Sequence, residues 1–120
     1  MIDKSIVVEE LEDTSGDEFD YDGDVASINA HLTGPSSAEC GHFVVAREYR
    51  REGYGSVLFE SLLEVLCDEG VSFLRVEIQA LGEGGENDDV MEFLREYGFE
   101  YEGVFEHYNW GTCIRASGYV

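Results

Sequence analysis

The chain has 120 residues, 43% of them hydrophobic, with seven Tyr, seven Phe and one Trp. That suits one domain, 1–120, with a single modest core and excludes a wholly disordered chain. Twenty-seven Asp and Glu stand against seven Lys and Arg, a formal net charge of −20, and the longest apolar runs are too short for a membrane-spanning helix.

In chain order, "SIVVEEL" (5–11) is an apolar, β-branched run that predicts a strand. "EDTSGDEFDYDGD" (12–24) predicts a polar loop. "VASINAHL" (25–32) predicts a second strand, "TGPSS" (33–37) a turn around the only proline, and "ECGHFVVA" (39–46) a third strand. A glycine loop then leads into a helix at about 55–69. Its Leu58, Leu62, Val65 and Leu66 share one face, while Glu60, Glu64 and Asp68 recur on the other. Gly70 is a fitting stop. "SFLRVEIQA" (72–80) alternates as a half-buried strand. "DDVMEFLREY" (88–97) predicts a short helix with acid in its first turn and Gly98 behind it. "FEYEGVFEHY" (99–108) and "TCIRASGYV" (112–120) predict a hairpin.

The acid is spread along the whole chain, densest from Glu9 to Asp24, and Lys4 is the single lysine. Heat adaptation enriches Lys together with Glu, so this balance argues against it. Self-repulsion of this size strains a fold in dilute buffer, whereas in molar salt the Debye length falls to ~3 Å. The composition therefore reads as that of a cytoplasmic protein of an extreme halophile, or of a virus infecting one. The competing reading is a DNA mimic, for which a patterned stripe of carboxylates would be needed. No charged and apolar leader opens the chain, which points away from export. Cys40, Cys67 and Cys113 are odd in number, with no CxxC pair, so they read as reduced thiols.

Several motifs can be weighed. "GYGSVL" lacks the third glycine of a dinucleotide fingerprint, since Leu58 stands in its place, although Glu77 follows at about the right distance. No P-loop pattern occurs. Glu18, Asp20, Asp22 and Gly23 match the start of a calcium loop, but its twelfth position is Asn29, so a solvated acidic loop is the better reading. His31, His42 and His107 lack metal-ligand spacing, and no metal is expected. Membrane and nucleic acid are not expected partners.

The segment "REYRREGYGSVLFESLLEVL" (47–66) stands apart. Arg47, Arg50 and Arg51 place nearly half of the basic residues on one loop. A strand, a glycine-rich turn and a helix bring unpaired backbone N–H groups and the positive helix end together around Gly53 to Val57. Glycines let a ligand approach the backbone, and the arginines offset a field that would repel phosphate. A phosphate-bearing ligand is the chemistry this pattern suits; the plainer alternative is that the arginines neutralise neighbouring carboxylates.

These residues resemble motif A of the GNAT N-acetyltransferases, whose R/Q-x-x-G-x-G/A signature is filled by Arg50, Gly53 and Gly55. The preceding Val45 and Glu48-Tyr49-Arg50 resemble the family's V-x-P-E-Y-R pattern, with Arg47 in place of proline. "NDDVMEFLREYGF" is similar to the family's N-x-x-A-x-x-F-Y-x-x-x-G-F, with Asn87, Phe93, Gly98 and Phe99 fitting, Val90 replacing the small residue and Leu94 the tyrosine. The match covers 39–105. It implies an α/β fold: a mixed, mostly antiparallel central sheet with a splayed strand pair and two main helices. It also implies acetyl-CoA as acyl donor, with Val45 bonding the pantetheine arm. Arg50, Arg51, Gly53, Tyr54, Gly55 and Ser56 would surround the pyrophosphate, and Asn87 would lie near the thioester. The residues before Glu39 depart from the family, because none of them reads as a helix where two are expected. The acceptor groove is thus expected to be open, absent or completed by a second copy in a homodimer.

The expected function is transfer of an acetyl group from acetyl-CoA to a primary amine. The alternatives are a non-catalytic acyl-CoA-binding or protein-interaction module, and the acidic mimic. A protonated amine cannot attack a thioester, so a base is needed, and a carboxylate tuned by burial towards ~6–7 would serve. Glu39, six residues before Val45, is the candidate, at the place where histone-type members of the family carry their glutamate. His42 is the reserve base, and simple alternation puts it on the opposite face of the strand. Leu94 cannot protonate the departing thiolate; Tyr97, one turn on, is the candidate substitute, beside water.

The charge generates a first prediction. The chain should melt far lower, or less cooperatively, in dilute buffer than in KCl on the order of 2–3 M. Circular dichroism melts at the two salt levels check this, and an unchanged melting temperature would remove the halophile reading.

Overall fold

The computed structural model describes residues 4–12, 18–23, 25–49, 52–79, 92–107 and 111–120. Among these residues three α-helices, α1 (Lys4–Glu12), α2 (Tyr54–Asp68) and α3 (92–96), accompany six strands. The strands are β1 (Glu18–Asp22), β2 (Ala26–Gly34), β3 (Ser37–Val45), β4 (Phe73–Gln79), β5 (Glu100–His107) and β6 (Gly111–Tyr119), and a short 3-10 turn spans Arg47–Tyr49. The sheet runs β1-β2-β3-β4-β6-β5. Every neighbouring pair is antiparallel except β3 and β4, which are parallel and joined through α2. This is the mixed, mostly antiparallel α/β sheet that the family resemblance implies.

Two expectations for the start of the chain are overturned. "SIVVEEL" is helical, because Val7 and Leu11, four residues apart, form one buried stripe that packs on α2 and β1. Burial of that stripe overrides the strand preference of its β-branched residues. Within the supposed acidic loop, Glu18–Asp22 is a strand, with Phe19 and Tyr21 turned to the core and Asp20 and Asp22 exposed. Its carboxylates alternate along an edge strand and do not converge as a calcium loop would require. Among the described residues, no group of three or more His, Cys, Asp or Glu is placed to hold a metal ion. The segment before β3 therefore does contribute a helix, contrary to the expectation that none stands there.

One face of the sheet carries the core. Ala26, Ile28, Ala30, Ala38, Cys40, Leu74, Val76 and Ala116 cluster with Val7 and Leu11 of α1 and with the buried side of α2, and Leu94 and Phe99 join them. At about 25 cal/mol per Å² of apolar surface, each large side chain here contributes ~1.5–3 kcal/mol. Helices α2 and α3 end alike: Val71 N–H bonds Leu66 O at 2.9 Å and Gly70 N–H bonds Cys67 O at 3.1 Å, and Phe99–Leu94 and Gly98–Arg95 repeat the pattern at 3.0 Å each. Both satisfy carbonyls the helix leaves open and turn the chain sharply towards the next strand.

The thiols give a second prediction. Cys67 is exposed, while Cys40 and Cys113 are buried. Burial pushes the Cys40 thiol from 9.0 up to about 12, against the opposing backbone hydrogen bonds at His42 and Asn29. Because the folded value is raised, Cys40 favours the folded state fully below about pH 9 and loses that contribution as pH rises towards 12. At pH 8 a thiol reagent should label Cys67 rapidly, and Cys40 and Cys113 only on unfolding; three equally fast thiols would contradict the burial.

Candidate active site

The site begins where β3 and β4 part. Their pairing runs from Ser37–Phe73 to Cys40–Val76 and stops, although β3 continues to Val45 and β4 to Gln79. A V-shaped opening follows, its vertex at the Cys40–Val76 pair. Ala46 N–H bonds Val25 O at 2.8 Å, so the antiparallel alternation turns the backbone groups of Phe43 and Val45 away from β2, towards the opening.

At the far end of β3 the chain makes the 3-10 turn and enters α2 at Gly53, whose φ of 90° lies in the left-handed region. No side chain caps this end, and a helix start leaves its first N–H groups without intrahelical partners. Those of Tyr54, Gly55 and Ser56 thus stand beside the opening. Gly55 lies close to Val45 and Phe43: a Cβ there would sit 3.6 and 3.7 Å from their side chains, ordinary contact. Val45, Gly53, Tyr54, Gly55 and Ser56 are brought together, as their pattern suggests. Arg50, Arg51 and Asn87 lie outside the described residues.

The second face of the sheet carries the polar groups. Asn29 pairs with His42 and Ala30 with Cys40, so Gly41 is an extra residue, a β-bulge. The bulge resets the alternation of β3: Cys40 and Phe43 share the core face, and Glu39 and His42 share the other. The expectation that Glu39 and His42 face opposite ways is therefore wrong, for a reason that pure alternation cannot reveal. Ser27 Oγ lies 2.7 Å from His42 Nε2. Glu39 is partly buried and His42 exposed, and in register beside Glu39 stands Arg75 of β4. One step past the vertex on β4, Glu77 is buried and accepts a 2.9 Å bond from Arg115 Nη2. Ser27 and Glu77 were not singled out as site residues from sequence. Glu77 carried a signal, a carboxylate in an otherwise alternating strand, whereas Ser27 carried none.

Tyr97 is not beside Glu39. Its ring packs on Phe59 and Phe93, both at 5.1 Å, on the helix-covered side. Its hydroxyl donates to Glu60 Oε1 at 3.1 Å, over the first two turns of α2. Burial pushes the phenol up, the hydrogen bond with Ser56 draws it down, and Glu60 raises it further. Leu94 is buried in the core at 1% exposure, in the position where the family pattern has tyrosine.

A splayed parallel pair next to an uncapped glycine helix start matches a known family. Residues 19–99 match the model of the acetyltransferase (GNAT) family. The chain belongs to this family. Solved GNAT structures share the fold. An Ard1 from Thermoplasma volcanium superposes with a TM-score of 0.66 and 21% identity, over 80% of this chain and 63% of that one. An aminoglycoside 6'-N-acetyltransferase complexed with coenzyme A gives 0.64 and 19%, over 92% and 76%. A ribosomal-protein-alanine N-acetyltransferase from Brucella melitensis gives 0.61 and 19%, over 86% and 68%. This GNAT chain thus spans less than two thirds of the Ard1 it resembles. No curated protein sequence matches it significantly. Among the described residues no helix is long and apolar enough to cross a membrane.

The two glycines give a third prediction. Gly53→Ala should cost roughly 1–2 kcal/mol, because an L side chain resists the left-handed backbone there. Gly55→Ala should leave stability unchanged or raise it by up to about 1 kcal/mol, since the helical position has room for Cβ. Chemical denaturation of both variants checks the contrast, and a Gly55→Ala loss as large as that of Gly53→Ala would contradict the packing.

Proposed function

We propose that this GNAT domain transfers an acetyl group from acetyl-CoA to a primary amine. The observation that carries the reading is the parallel β3–β4 pairing that stops at Cys40–Val76 beside the start of α2. An extended arm with hydrogen-bonding groups fits such an opening by adding to a strand edge, as peptides add to sheets. The Phe43 and Val45 backbone would hold the pantetheine arm of acetyl-CoA. The amides of Gly53 to Ser56, with Arg50 and Arg51, would hold its pyrophosphate, and Asn87 would lie near the thioester. The vertex stops the arm and leaves the thioester carbonyl there.

Glu39, on the polar face at the vertex, takes a proton from the incoming ammonium. The freed amine attacks the thioester carbonyl carbon, the C–N bond forms, and the C–S bond breaks with its electron pair leaving on sulfur. The polar face is where the acceptor, or a second copy completing its groove, would sit. Coenzyme A in the aminoglycoside enzyme supports the donor, and a related Naa50 from Arabidopsis thaliana was solved with a CoA–peptide bisubstrate analogue. Cytoplasmic work in molar salt is part of this reading and sets the assay conditions.

Calorimetry in molar KCl should show CoA binding, weakened by several kcal/mol in the Arg50→Glu, Arg51→Glu double variant, at ~1.5–3 kcal/mol per charged hydrogen bond. Transfer should then be measured from acetyl-CoA to a panel of small amines, polyamines, aminoglycosides, lysine peptides and peptide N-termini. No CoA binding by the folded chain overturns the reading. Binding without transfer to any amine makes the chain a CoA-binding module, a reading that Leu94 in the family's tyrosine position also favours.

A further inference from the structure

The proposed transfer has a proton ledger that Glu39 alone does not close. An ammonium becoming an amide nitrogen loses two protons, one before attack and one as the C–N bond forms. The departing CoA thiolate regains one, and the other goes to solvent. Leu94 is buried and has no proton to give, and Tyr97 donates its own to Glu60 on the far side of the sheet. A second group that can both accept and donate is needed on the polar face.

The bulge at Gly41 supplies it. It carries His42 to the same face as Glu39, on the arm of the opening just past the vertex. Along β3 the order is then Glu39, the Cys40 vertex, His42, and the Phe43 and Val45 edge. A thioester held on that edge with its carbonyl at the vertex has its sulfur at the level of His42, and the amine arrives on the side of Glu39. The ring is not free to swing, because Nε2 is bonded to Ser27 Oγ across the β2–β3 pair at 2.7 Å. A Nε2–H that donates to Ser27 throughout leaves Nδ1 as the exchanging nitrogen.

Resting on the acetyl-transfer reading, we propose that His42 is a catalytic proton shuttle and Ser27 its positioning residue. Nδ1 takes the second proton from the amine nitrogen as the C–N bond forms. The same Nδ1 then gives that proton to the CoA sulfur as the C–S bond breaks, so His42 returns to its neutral form. The first proton leaves through Glu39 to water. The products are the amide, CoA thiol and one released proton, and no other reactant is required. The charged and titratable groups described on this face are Asp20 and Asp22 on β1, His31 on β2, Glu39 on β3, Arg75 and Glu77 on β4, Glu102 on β5 and Arg115 on β6.

The test is steady-state transfer by the full chain in molar KCl at neutral pH, with CoA affinity measured in parallel. His42→Gln should lower kcat at neutral pH ~10-fold or more while CoA affinity changes less than about twofold. Ser27→Ala should lower kcat several-fold, and Ser27→Thr, which keeps the hydroxyl, should restore it. Wild-type kcat in His42→Gln overturns the shuttle while leaving acetyl transfer intact. If His42→Gln does not melt cooperatively, Ser27 decides: loss in Ala with recovery in Thr supports the shuttle, and wild-type kcat in Ser27→Ala overturns it. A wild type that binds CoA and acetylates no amine removes the transfer reading and the shuttle with it.

Discussion

Phe59 is the contact on which the open strand pair depends. Its ring is fully buried and meets Phe43 at 5.6 Å, Phe93 at 5.6 Å, Tyr97 at 5.1 Å and Phe99 at 5.5 Å. From one position on α2 it therefore holds the end of β3, the short helix α3 and the residue that leads into β5. Beyond Cys40, among the described residues, β3 keeps its ladder with β2 and no longer pairs with β4. A strand hydrogen-bonded on one edge would be soft if nothing packed beneath it. Aromatic pairs contribute about 0.5–1.5 kcal/mol each beyond the area they bury, so this cluster supports a strand edge that must stay both open and rigid.

The other face follows a different logic. Arg75 and Arg115 lie close to Glu102 and Glu77, at 3.5 and 2.9 Å. Of these, the Glu77 pair is the more sheltered, and an exposed pair such as Arg75–Glu102 contributes little. Across β1 to β3 the same face shows Asp20, Asp22 and Glu39 with two histidines. That half is suited to receive cations, with a range that shrinks as salt rises.

Much of this was legible in the residues. Helix α2 announced itself by its apolar stripe and its glycine stop, and "REYRREGYGS" located the helix start beside the strand end. The family pattern implied the splayed pair. What escaped notice had local causes. In "SIVVEEL" the β-branched residues outweighed the four-residue spacing of Val7 and Leu11, which only the surface of α2 makes decisive. In "EFDYD" the carboxylates masked an alternation that Phe19 and Tyr21 obey. The shared face of Glu39 and His42 was hidden because a bulge is a property of two strands: nothing in "ECGHFVV" says that Gly41 lacks an opposite residue on β2. For the same reason the sequence could not bring Ser27, fifteen residues away from His42, to its side.

That extra glycine has a consequence beyond the site. Strand β3 is in effect written in two reading frames, one for the half zipped to β4 and one for the half that stands apart. Were Gly41 drawn into the regular ladder, the shift would act on the fold as a frameshift acts on a message, sending Phe43 and Val45 outward and His42 and Val44 into the core, with every residue before it unmoved. Conversely, the offset insulates the two halves. Substitutions that repack Ala38 and Cys40 against β4 need not disturb what the outer half presents, so the strand can change its chemistry without changing its anchorage.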